Sequence, residues 1–72
     1  MADIVETRVP GTVWKVLVKP GDAVAEGQEL FILEVMKTEV PHAAERAGTV
    51  KTVNIAEEQA VDAGFAAVEI DS

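Results

Sequence analysis

Gly11-Thr12-Val13-Trp14-Lys15-Val16-Leu17-Val18 and Gly48-Thr49-Val50-Lys51-Thr52-Val53-Asn54-Ile55 both read G-T-V-x-x-V-x-(V/I), 37 positions apart. The same offset pairs Val24 with Val61, Gly27 with Gly64, Phe31 with Val68 and Leu33 with Ile70, and no gap is needed. An internal repeat constrains a chain strongly, because each copy must form the same supersecondary unit and bury its apolar face on a neighbour. Two copies within 72 residues predict a closed unit with two-fold symmetry, not an open solenoid.

Each copy has the same punctuation. An apolar strand, Thr12 to Val18 or Thr49 to Ile55, leads to a polar turn, Lys19-Pro20-Gly21-Asp22 or Ala56-Glu57-Glu58-Gln59. Pro-Gly-Asp is a strong turn signal, since proline fixes φ and glycine supplies a positive φ. A second glycine, Gly27 or Gly64, then admits a strand over Glu29 to Val35 or Ala66 to Asp71. The spacing V-x-x-V-x-V changes inward-outward parity once, which predicts a β-bulge or sharp twist. Short strands with turns between them indicate an all-β sandwich or barrel. The alanine- and glutamate-rich stretch Ala56 to Ala67 imitates a helix, but its repeat partner contains Pro20, Gly21 and Gly27, so it reads as turn and strand. Lys51 stands at the repeat position of Trp14, so the tryptophan is expected to cover the barrel and not to bind a ligand.

Composition narrows the chemistry. The chain is expected to be one domain over 1–72, burying roughly 60% of its unfolded surface. There is no cysteine, hence no disulfide and no thiolate metal site. The sole histidine, His42, has no second imidazole with which to build a zinc site and is expected at the surface or on an edge. No Ser/His/Asp spacing suggests a triad, so no catalytic residue and no metal ligand is assigned. A formal charge of −7 argues against nucleic acid and against anionic membranes. The apolar runs are far shorter than a transmembrane span, and Met1-Ala2-Asp3 is not the basic start of a signal peptide. A soluble, cytoplasmic, monomeric domain is the expectation.

One segment resists the bland reading. Leu30 to Val40 is rich in β-branched residues and has no Gly, Asn or Asp to turn it. Yet the repeat demands a reversal between Leu33 and Gly48, and Leu30 to Ala43 fully extended would span roughly 45 Å at about 3.3 Å per residue. A two-residue turn at Met36-Lys37 satisfies the repeat. It pairs Val35 with Thr38, Glu34 with Glu39 and Leu33 with Val40. Such turns want positive φ at both central positions, where Asn-Gly is preferred, so methionine and lysine there are strained. Glu34 opposite Glu39 breaks a second rule, because like charges across a ladder destabilise it. Local rules broken in an otherwise consistent sequence mark a functional site.

At these residues the chain resembles the biotinyl/lipoyl attachment domain family over nearly its whole length. The matching elements are Pro10-Gly11-Thr12-Val13, Val18-Lys19-Pro20-Gly21-Asp22-Ala23-Val24, Glu26-Gly27-Gln28, Glu34-Val35-Met36-Lys37-Thr38-Glu39 and Ala47-Gly48-Thr49-Val50. It looks most like the biotin carboxyl carrier proteins and the small free-standing biotin/lipoyl attachment proteins. The family's biotin motif is Ala-Met-Lys-Met, and Met36 and Lys37 keep its centre, while Val35 and Thr38 replace its flanks. Lipoyl domains of this fold carry Asp-Lys-Ala, so Met36 favours biotin, and Thr38 keeps lipoate as the alternative. Glu58 and Gln59 stand where the family's second turn has Gly-Asp.

The resemblance implies a hammerhead-type flattened β-barrel of two four-stranded antiparallel sheets, with the termini at the end opposite the modified lysine and no thumb insertion. It implies covalent biotin on Lys37, and ligase recognition through Glu34, Val35, Met36, Thr38 and Glu39. It implies three partners: a biotin protein ligase, a biotin carboxylase and a carboxyltransferase. The chain would be a non-catalytic carrier of an acyl-CoA type carboxylase system. An unmodified protein-binding module is the remaining alternative.

Overall fold

The computed structural model describes residues 2–71. Eight strands form: β1 (Ala2–Glu6), β2 (Gly11–Val16), β3 (Ala23–Val24), β4 (Glu29–Val35), β5 (Thr38–Ala43), β6 (Gly48–Val53), β7 (Ala60–Val61) and β8 (Ala66–Asp71). They build two four-stranded sheets, ordered β1-β8-β6-β3 and β5-β4-β2-β7, and every pairing is antiparallel. The molecule measures 33 × 17 × 17 Å, which excludes an unbroken strand through the Lys37 segment.

The repeat is the architecture. A shift of 37 positions carries β2 onto β6, β3 onto β7, β4 onto β8 and β1 onto β5. The core follows the same rule. Val13 and Val50, Val18 and Ile55, Val24 and Val61, Leu30 and Ala67, Phe31 and Val68, and Leu33 and Ile70 are all buried. These residues are apolar on the faces that meet between the sheets, and their removal from water drives the packing. The predicted bulges are present: the ladder of β2 with β4 skips Trp14 between Val13 and Lys15, and that of β6 with β8 skips Lys51 between Val50 and Thr52. A bulge shifts the inward parity, which is why Val13 and Val16 both face the core side.

The turns match as well. Lys19 N–H donates to the Asp22 carboxylate at 2.9 Å, and Ala56 N–H donates to Gln59 Oε1 at 3.0 Å. The residue between them has φ 96° at Gly21 but φ 72° at Glu58, so the second copy forces a side-chain-bearing residue into the left-handed region. Ala56 to Ala67 is turn and short strand, with no helix.

The first strands of each copy end sooner than expected, at Val16 and Val53 and not at Val18 and Ile55. The cause is the crossing between sheets. After β2 the chain leaves its own sheet, and Gly21 N–H donates to Val50 O (2.8 Å) while Val50 N–H donates to Asp22 O (2.8 Å). After β6, Glu58 N–H donates to Val13 O (2.7 Å) and Val13 N–H to Gln59 O (2.8 Å). These reciprocal bonds stitch each turn to the opposite sheet and leave its backbone groups satisfied.

His42 corrects a sequence expectation. It lies on an edge strand, but it is 1% exposed and not at the surface. It occupies the repeat position of the half-buried Val5, so its side chain points inward. Its ring stacks on Phe31 with centroids 4.6 Å apart. Nε2 accepts from the Arg8 backbone N–H at 3.0 Å, and Nδ1 donates to Val40 O at 3.2 Å. That pattern requires a neutral ring. Trp14 sits on the outer surface at 43% exposure, so it covers the barrel in part.

Candidate functional site

The hairpin between β4 and β5 closes as the sequence requires. Val35 faces Thr38, Glu34 faces Glu39 and Leu33 faces Val40. Met36 and Lys37 have φ of 50° and 65°, both in the left-handed region that a type I′ turn demands. For residues with a Cβ this costs roughly 1–2 kcal/mol each. The flanking ladder supplies the compensation, because Val35 and Thr38 are β-branched and pair across it.

Met36 is 93% exposed, which excludes a packing role, and Lys37 is exposed beside it. Val35 is half-buried at the base of the turn, whereas Glu34, Thr38 and Glu39 are exposed. The six residues Glu34 to Glu39 therefore meet at one tip, with the Lys37 amine held out on two short strands. The ion pairs among the described residues, Arg46 with Asp3 and Lys51 with Glu69, both at 3.7 Å, leave Glu34, Lys37 and Glu39 out.

Gly11 is a positioning residue that the motif alone did not single out. A Cβ built there would lie 2.8 Å from Glu34 O and 2.9 Å from Val35 Cγ2. Absence of a side chain lets β2 seat directly under the hairpin's base. Gly48 does the same at the other end, where a Cβ would meet Asp71 O at 2.7 Å. The repeated Gly-Thr-Val was the signal for both.

The tip offers an exposed amine. A cavity of about 110 Å³ lies between the edges of the two sheets, lined by Asp3, Arg8, His42 and Glu45 among others, and no residue of the 34–39 hairpin lines it. Burial pushes the His42 imidazole there below its ordinary value of 6.5; the Val40 carbonyl opposes this and the Arg8 charge reinforces it. No group of three or more His, Cys, Asp or Glu among the described residues could hold a metal ion. No helix among them is long and apolar enough to cross a membrane.

The geometry presents two four-stranded sheets related by a two-fold repeat, with an exposed lysine on a strained hairpin. The family model described as "Biotin-requiring enzyme" matches residues 1–70, and the chain belongs to this biotin/lipoyl attachment family. It is 43% identical over 68 residues to a biotin/lipoyl attachment protein of Bacillus subtilis, covering 94% of this chain and 93% of that one. It is 46% identical over 63 residues to a biotin carboxyl carrier protein of Streptococcus mutans, covering 88% of this chain and 48% of that protein. Among solved structures, urea carboxylase of Kluyveromyces lactis superposes with a TM-score of 0.92 at 30% identity, over 99% of this chain and 6% of that one. The chain thus spans nearly all of one relative, about half of another and a small part of a large carboxylase.

Proposed function

We propose that Lys37 is the covalent attachment site for biotin, and that the chain, one domain over 1–72 without a thumb insertion, serves as a non-catalytic carboxyl carrier. The observation that supports this most is the Met36-Lys37 turn, in which two residues with side chains hold positive φ at a fully projecting tip. Strain of this kind is retained where function needs it. An exposed lysine on a short hairpin fits the group, because an amide bond asks only for an accessible amine and room for the arm beyond it.

In the attachment step a ligase presents the biotin carboxyl as its adenylate. Lys37 Nζ, once deprotonated by the ligase, attacks the acyl carbon; the amide forms and AMP leaves. Glu34, Val35, Met36, Thr38 and Glu39 form the surface the ligase reads. Bound biotin supplies a ureido nitrogen that accepts and releases a carboxyl group. The chain itself contributes tethering, which raises the effective concentration at a biotin carboxylase and then at a carboxyltransferase, in an acyl-CoA type system. The cytoplasm and a monomeric state are part of the same reading.

One observation favours a second reading. Thr38 stands beside the lysine where the biotin motif has methionine, which favours a lipoyl or dual carrier. Incubating the protein with biotin ligase and biotin, and separately with lipoate ligase and lipoate, decides between them by intact mass. One biotin per chain and no lipoyl adduct supports the first. A lipoyl adduct alone overturns it.

A further inference from the structure

The two sheets present outer faces that the repeat makes equivalent, and these faces differ in chemistry. On the sheet that carries the hairpin, Ile32 faces Pro41 on one side and Lys15 on the other, with the bulged Trp14 next to it. The result is an apolar row across β2, β4 and β5, with Trp14 43% exposed and the Lys15 ammonium 5.5 Å from its ring centroid. The repeat positions of Trp14, Ile32 and Pro41 are Lys51, Glu69 and Ile4. There Lys51 Nζ lies 3.7 Å from the Glu69 carboxylate, and an ion pair occupies the centre of the face. The fold therefore does not need an apolar row at this place. The hairpin sheet has one nonetheless.

Toward the tip the same face carries Thr12, Glu34 and Glu39, aligned across the three strands. The two carboxylates face each other on the ladder, and the described ion pairs relieve neither. A basic rim on a partner would relieve both. We propose that this outer face docks the enzyme that acylates Lys37, whose matching surface has an apolar centre for Trp14, Ile32 and Pro41 and Lys or Arg side chains opposite Glu34 and Glu39. The proposal rests on Lys37 being the attachment site. A second copy of this chain is the poorer occupant, because a symmetric contact would oppose acidic rims on a molecule of net charge −7.

The dimensions suit an enzyme. Ile32 lies five residues from Lys37 along the strand, roughly 16 Å at about 3.3 Å per residue. A standard footprint of about 800 Å² per partner, roughly 30 Å across, covers the tip and the row together. An exposed tryptophan within such a patch has the character of a binding hot spot.

The test transplants one face onto the other. Trp14→Lys with Ile32→Glu installs the pair that already stands at 51 and 69, and Lys51→Trp with Glu69→Ile is the reciprocal control. Acylation by a biotin protein ligase, at saturating biotin and ATP, is followed by intact mass to give KM and kcat. The first variant should raise KM about tenfold or more with kcat unchanged, the signature of lost uniform binding. The control should leave both unchanged. For the original chain KM should climb with ionic strength, and Glu34→Gln with Glu39→Gln should flatten that climb. If the double variant melts early, Trp14→Ala, an exposed single change, carries the same expectation at about fivefold. An unchanged KM in a folded variant overturns the docking face and leaves the attachment site standing. A chain that the ligase never acylates, while it acylates an established carrier, overturns the attachment site instead.

Discussion

The sheet β5-β4-β2-β7 and the sheet β1-β8-β6-β3 share one design, down to the bulge and the paired core residues, yet they diverge wherever the chain meets solvent. Where one sheet has Glu34 and Glu39 opposed, a strained turn beyond them and a tryptophan outside, the other has Asp71 opposite Ala2 and an ion pair. Inside, six pairs of buried positions keep the symmetry because apolar side chains fill one space from two directions, and the exceptions are His42 against Val5 and Ala44 against Thr7. Outside, nothing in the packing enforces it. Departures from the repeat are therefore where function is most readily read, and each departure can be tested against its counterpart.

The largest effect is expected at the two glycines under the sheet ends. Gly11→Ala and Gly48→Ala each place a Cβ within 3 Å of backbone, at 2.8 Å from Glu34 O and 2.7 Å from Asp71 O, so each should cost about 1–3 kcal/mol in urea melts. The pair then separates. Gly11→Ala also displaces the base of the Lys37 hairpin and should slow acylation per folded molecule, whereas Gly48→Ala should not. Equal acylation by the two folded variants would break the link between β2 and the tip.

Next comes the histidine that stands where the other half has valine. The folded ring is held neutral and its pKa is lowered, so between the folded value and 6.5 the unfolded chain binds the extra proton. Stability should therefore be fully present above pH 6.5 and decline as pH falls below it, until the folded ring itself titrates. His42→Val copies the Val5 side and should remove this component from the pH profile of thermal unfolding, leaving the carboxylate component at lower pH. A profile identical in both proteins would mean that the folded ring takes up its proton as readily as the unfolded one, in conflict with its burial and its acceptance of the Arg8 N–H.

The smallest effects concern the strained turns. Glu58→Gly restores the residue type of Gly21 and should stabilise by up to about 1 kcal/mol, raising Tm by roughly 4–8 °C in a domain of this size. Met36→Asn should relax the hairpin to a similar or lesser extent. The two differ in consequence: acylation of Lys37 should fall in Met36→Asn and stay constant in Glu58→Gly. Opposite movement of stability and modification at one turn, and not at the other, separates strain kept for function from strain that is merely tolerated.

Much of this was legible in the sequence because the 37-residue offset carries long-range information that local propensity lacks. It gave the core pairs, the bulges, and the reversal at Met36-Lys37, where turn chemistry alone argues for a continuous strand. Other features were not legible. Strands β3 and β7 have two residues each, too few to show a period. The early ends of β2 and β6 come from bonds made to the opposite sheet, which no local pattern encodes. The inward place of His42 is encoded by its repeat partner Val5, a positional signal that composition does not carry. The apolar row was hidden for another reason: Trp14, Ile32 and Pro41 are distant in sequence and become neighbours only once β2, β4 and β5 are in register.

The central claim is that the broken symmetry at the tip is the attachment site. Lys37→Arg keeps the charge and the turn while removing the nucleophilic amine, and it should be compared with Lys51→Arg on the other sheet. After co-expression with a biotin ligase, intact mass should show one biotin on the original chain and on Lys51→Arg, and none on Lys37→Arg. Biotin retained by Lys37→Arg would contradict the account and move the site to Lys15, Lys19 or Lys51.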